Sequence, residues 1–119
     1  MPDWVDQRLD RWGKLARDGS GDEWSVLARL MVEGATGAAQ VSDWLAGHLP
    51  DDVGQTDHAV AALPWRYRRA IRLQFMTHLP TEIKARALHT SRATFFLLVN
   101  AGKVGVYMNL MAQGVYGPR

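Results

Sequence analysis

The chain has no cysteine in its 119 residues, which excludes a disulfide framework, a zinc ribbon and a thiol nucleophile. It also lacks a long apolar run. The longest, "TFFLLV" at residues 94–99, falls far short of the roughly 20 residues that a membrane span needs. The start, "MPDWVDQRLD", carries charge where a signal peptide would be apolar. These absences point to a soluble, cytoplasmic protein. A chain of 119 residues is long enough to bury one core without help from a metal or a disulfide.

Acidic side chains are nearly missing from the second half. Residues 1–62 carry five Lys/Arg against eleven Asp/Glu, a formal −6, whereas residues 63–119 carry nine Lys/Arg against Glu82 alone, a formal +8. A block that basic has the electrostatic footprint of a phosphate binder, while the acidic half suits a basic protein surface. The plainer alternative is that the two halves neutralise each other.

Signals for site chemistry are sparse. His48, His58, His78 and His89 show neither i, i+4 nor HExxH spacing, so no metal site is expected. "AGKVG" has a Gly-Lys pair without a following Ser/Thr or a preceding Gly-rich strand, and "GSGDEW" reads as a turn. Asp51 and Asp52 sit together in an expected loop with no third acidic residue at calcium-loop spacing. The five tryptophans, Trp4, Trp12, Trp24, Trp44 and Trp65, read mostly as packing residues. No enzymatic chemistry, cofactor or metal is implied.

What is present is helical patterning, and the expected class is all-α. Val5, Leu9, Trp12 and Ala16 make one apolar stripe in a helix of about four turns that Asp3 can cap. "DGSGDE" breaks the chain, "WSVLARLMV" reads as a short helix, and "EGATGAA" as a loop. "VSDWLAGHLPDDVGQ" reads mostly as a connector. Thr56 or Asp57 is placed to cap a helix starting "HAVAAL", which Pro64 interrupts or restarts. In "LPWRYRRAIRLQF", residues 63–75, Leu63, Ile71, Phe75 and part of Trp65 are expected inside, with Arg66, Arg68, Arg69 and Arg72 outside. After Pro80, a capped helix from Thr81 to about Leu88, a turn His89-Thr90-Ser91 and a helix opened by Ser91 give the pattern of a helix-turn-helix. The segments divide into an acidic helical part, residues 1–55, and a basic part, residues 56–119, within one continuous domain.

"LPWRYRRAIRLQF" followed by "TEIKARALHTSRATF" resembles the DNA-binding fourth region of bacterial sigma factors. With "LDRWGKLAR", "DHAVAAL" and "SRATFF" added, the whole chain resembles the late antitermination protein Q family of lambdoid and related phages. The resemblance implies a small helical domain containing a sigma region 4-like helix-turn-helix. It also implies binding to double-stranded DNA at a phage late promoter and engagement of host RNA polymerase so that terminators are read through. Some members of the family carry a cysteine-based zinc site, which this chain cannot make.

The residues that would carry DNA binding on this reading are Arg66, Arg68, Arg69, Arg72, Lys84, Arg86, Ser91, Arg92, Thr94, Asn100 and Lys103. Arg92 stands at the start of the groove helix, where a guanidinium fits guanine O6 and N7. Two positions depart from the family pattern. Lys84 replaces an inward aliphatic and His89 replaces the turn glycine, so either the frame is shifted or the turn is built without glycine in the left-handed region. Phe95 to Val99 are apolar all round, and part of that surface is a candidate for protein packing. Two other readings therefore stand beside antitermination. One is a sigma-like module that binds only protein; the other is a repressor-type DNA binder that self-associates through the apolar "VGVYMNLM".

Overall fold

The computed structural model describes residues 1–20 and 51–118. The expected helix in "WSVLARLMV", the loop after it, Trp24, Trp44 and His48 lie outside the described residues. Within them the fold is all-α, with five helices: α1 Asp3–Ser20, α2 Asp51–Ala61, α3 Trp65–Met76, α4 Thr81–Ala87 and α5 Arg92–Ala112.

α1 fully encloses Val5, Leu9 and Trp12 of the expected stripe. Asp3 is its first residue and not its cap, and with Asp6 it puts negative charge at the positive end of the helix dipole. α2 starts seven residues before the His58 start that the sequence suggests, so Asp51 and Asp52 form an acidic first turn and not a loop. Thr56 and Asp57 are consequently interior residues of α2, both buried, and not caps. Each is satisfied there. The Thr56 hydroxyl donates to the Asp52 carbonyl at 3.2 Å, and the Trp12 indole N–H donates to Asp57 Oδ1 at 2.9 Å. The 55/56 division of the chain thus passes through a helix.

Pro64 ends one helix and starts the next, standing at the N-cap of α3 with φ −54° and ψ 149° and no side-chain capping bond. Pro80 does the same for α4, which makes Thr81 the first helical residue and not the cap. Proline suits these positions because its fixed φ and missing N–H cost nothing where no helical bond is due.

α3 lies between α1 and α5, and glycines set how closely it does so. A Cβ on Gly13 of α1 would stand 2.0 Å from the Phe75 carbonyl oxygen. In α5, a Cβ on Gly102 would meet Ile71 at 2.7 Å, and one on Gly105 would meet Leu63 at 2.6 Å. The Arg-Trp-Gly stretch at 11–13 and the "AGKVG" stretch are therefore helix-crossing features. α5 packs on the body through Phe95, Val99, Gly102, Val106 and Leu110, one face at helical spacing. At 21 residues, α5 is also long and apolar enough to cross a membrane by length and composition; in this fold its inner face is core.

Arg8 closes the structure. Its Nε donates to the Gly117 carbonyl at 2.7 Å and its Nη1 to the Asp52 carbonyl at 3.0 Å, which ties α1 to the chain after α5 and to the start of α2.

The closest crossing gives a direct test. Gly13→Ala improves helix propensity by about 1 kcal/mol, yet its methyl meets a backbone carbonyl that no rotamer change can move. The net loss expected is about 1–3 kcal/mol, read as a lower urea midpoint at unchanged slope; an unchanged or raised midpoint would show that α1 and α3 do not pack this closely.

Candidate nucleic-acid interface

The α4–α5 junction is built from backbone bonds that the sequence only partly announces. Leu88 is the C-cap of α4, the His89 N–H donates to the Arg86 carbonyl at 3.0 Å, and the Thr90 N–H donates to the Ala85 carbonyl at 3.0 Å. That pair of bonds is a Schellman ending, which requires a left-handed residue after the cap. His89 supplies it at φ +54°, so the turn is built without glycine in the left-handed region. Ser91 then caps α5: its Oγ accepts from the Thr94 N–H at 3.1 Å and lies 3.0 Å from the Thr94 hydroxyl.

An open concavity of about 500 Å³ lies over this junction, lined by Glu82, Arg86, His89, Ser91 and Arg92 among others. Arg86, His89, Ser91 and Arg92 are all exposed, and the unpaired N–H groups of the first α5 turn add a positive dipole end there. Arg69 reaches the same region. Its Nη2 lies 3.5 Å from the Ala87 carbonyl at the end of α4, and its guanidinium sits 5.9 Å from the Trp65 ring centroid. Burial lowers the Arg69 pKa.

The structure separates the remaining candidates. Arg66 is exposed, but Arg68 and Arg72 are not the outward residues that the sequence suggests: both are buried, Arg72 at 1% exposure. Arg68 Nη1 bonds to the Leu63 carbonyl at 3.3 Å, and burial pushes the Arg72 pKa down to about 10. The cause is the central place of α3, which has no face wide enough for four solvated arginines. Lys84 is also buried, its ammonium donating to Gln74 Oε1 at 3.3 Å, so a cation on the inward side of α4 is kept by a hydrogen bond to α3. Lys103 is held in an ion pair with Asp6 at 2.8 Å and lies 5.7 Å from the Phe75 ring centroid. Asn100 is exposed and Thr94 half-buried. Trp65, expected partly inside, is half exposed beside Arg69. Its place in the first turn of α3, directly after Pro64, is the sequence signal for that. Among the described residues, no group of three His, Asp or Glu side chains is gathered as metal ligands would be.

The arrangement can hold an anionic edge against the turn and first turn of α5, and further along that helix the exposed Asn100 amide is an additional polar group. Beyond Thr94 the outer face presents Leu97, Val104 and Met108, which have no hydrogen bond to offer a base.

Because His89 carries a Cβ in the left-handed region, His89→Gly is expected to relieve about 1 kcal/mol of backbone strain, less a fraction lost to unfolded-chain entropy. The thermal midpoint should rise. A fall would show that the His89 ring contributes more than its backbone costs. No family model matches the chain, and neither the curated proteins nor the solved structures contain a match to it.

Proposed function

We propose that this protein is a bacteriophage transcription antitermination factor, a non-enzymatic protein of the host bacterial cytoplasm that binds promoter DNA and RNA polymerase. On this reading α4, the turn and α5 form a helix-turn-helix of the sigma region 4 type. The observation that supports it most is the convergence of exposed Arg86 and Arg92 with the Ser91-capped start of α5 on one concave surface. That surface lies in the half of the chain with a formal +8. The DNA contact is short: Arg92 and the first α5 turn face base edges or phosphates, and Arg66 and Arg69 flank them on phosphate. The acidic residues of α1 and the start of α2 suit a basic polymerase surface.

A protein-only module is the second reading, and it has its own support. Burial of Arg68, Arg72 and Lys84 and the ion pair of Lys103 leave fewer cations for DNA than the sequence suggests. Salt separates the two, because displaced counterions make DNA affinity fall steeply with salt while a protein contact changes little.

Arg66→Ala is expected to weaken DNA binding alike on all sequences and to reduce the salt slope by about one. Arg92→Ala is expected to cost about 1–3 kcal/mol and to relax preference at one position in a selection from randomised DNA. The same preference in wild type and variant would assign Arg92 to backbone contact. A shallow salt slope for the wild type would favour the protein-only module.

Antitermination itself is read by in vitro transcription from the cognate late promoter through a downstream terminator. Added protein should raise read-through, and equal read-through with and without it would sink the proposal while leaving DNA binding intact.

A further inference from the structure

The inner face of α5 is core, and its outer face is a second apolar stripe that no described residue covers. Thr94, Leu97, Ala101, Val104, Met108 and Met111 follow one another at alternating steps of three and four. Leu97 is 67% exposed, Met108 64% and Val104 48%. An alternating 3-4 repeat presents a narrow seam that fits another helix, whereas an interfacial helix on a bilayer shows a broad apolar face rimmed by Lys and Arg. Here the rim is neutral. The positions beside the seam are Ala93, Leu98, Asn100, Gly105, Tyr107 and Ala112, and the one charge in α5 after Arg92, Lys103, is engaged by Asp6 on the α1 side.

Neutral flanks carry no charge code to select a different helix, and they let identical helices meet without repulsion. The seam is also self-complementary. Laid antiparallel about the midpoint between Ala101 and Val104, Thr94 opposes Met111, Leu97 opposes Met108, and Ala101 opposes Val104. Two of the three layers pair a smaller residue with a larger one, and every layer places one step of the repeat against the other, as an isologous two-fold contact requires.

We propose that the outer face of α5 is the interface of an antiparallel dimer of this chain. One consequence rests on the DNA-binding reading. Ser91 lies about 17 Å along the helix from that midpoint, so the two α5 starts stand about 35 Å apart. That separation is about one turn of B-DNA, the spacing of paired half-sites.

The test uses the full chain without DNA, so its failure leaves the DNA reading standing, and loss of DNA binding leaves the dimer standing. Sedimentation velocity at micromolar concentration should give twice the chain mass. Leu97→Glu and Met108→Glu, at exposed positions, should each give a monomer of unchanged helical circular dichroism. Because the chain has no cysteine, orientation can be read by oxidising a mixture of Leu97→Cys and Met108→Cys chains. The two kinds should join to each other, and neither should join to itself, since like positions stand about 16 Å apart along the axis, beyond the reach of a disulfide. A monomeric wild type overturns the proposal. So does joining of Leu97→Cys chains to one another, which would mean parallel helices. Co-sedimentation of a monomeric wild type with phosphatidylcholine–phosphatidylglycerol vesicles would overturn it in favour of a lipid surface.

Discussion

The fold depends on how closely α3 approaches its two neighbours. On one side the backbone of Phe75 meets Gly13, and on the other Ile71 and Leu63 meet Gly102 and Gly105. Interiors are packed to crystal-like density, so a methyl group at any of these three points has to push a helix or a large side chain outward. This constraint places α3 inside the bundle, with Ala70, Ile71, Leu73 and Met76 buried. It also explains why a helix rich in arginine loses two of its cations to the interior. Once α1 and α5 close on it, Arg68 and Arg72 have nowhere else to go.

The helices themselves were largely legible from the residues. Prolines mark two starts, Ser91 marks the last, and the apolar stripe of α1 reads directly at helical spacing. Caps were less legible, because Thr and Asp are good caps and also good partners inside a helix; the indole of Trp12, 45 residues away, draws Asp57 into the core. The candidate site was legible at Arg66, Arg86, Ser91, Arg92 and Asn100, which are exposed. It was not legible at Arg68, Arg72 and Lys84. Periodicity shows which side of a helix is apolar but not how many sides are covered, and α3 and α4 are covered on more than one. The left-handed turn residue was legible only as an alternative: the sequence marked His89 at the place of the turn glycine, and φ +54° there gives a turn built without glycine.

Charge in this molecule is partly an internal matter. Lys103 of the basic half meets Asp6 of the acidic half at 2.8 Å, while Arg11 meets Asp52 at 2.9 Å within the acidic half itself. Each of these partly exposed pairs contributes about 0–1 kcal/mol to stability, but together they determine which charges remain for a partner. Among the described residues of the basic half, the exposed cations are Arg66, Arg86 and Arg92, at the starts of α3 and α5 and the end of α4. Some of the asymmetry is therefore neutralised within the bundle, while Arg86 and Arg92 stay exposed together at the α4–α5 junction.

The bond from Arg8 to Gly117 spans 109 positions of sequence, and its consequence reaches back to synthesis. α1 emerges from the ribosome before α2, α3 and α5, the helices that cover Val5, Leu9 and Trp12. Contacts this distant in sequence slow folding, because the chain entropy must be given up before the contacts form. Until those helices follow, the nascent chain thus lacks the partners they provide for the apolar stripe of α1, the kind of surface that chaperones hold and that aggregates when they do not.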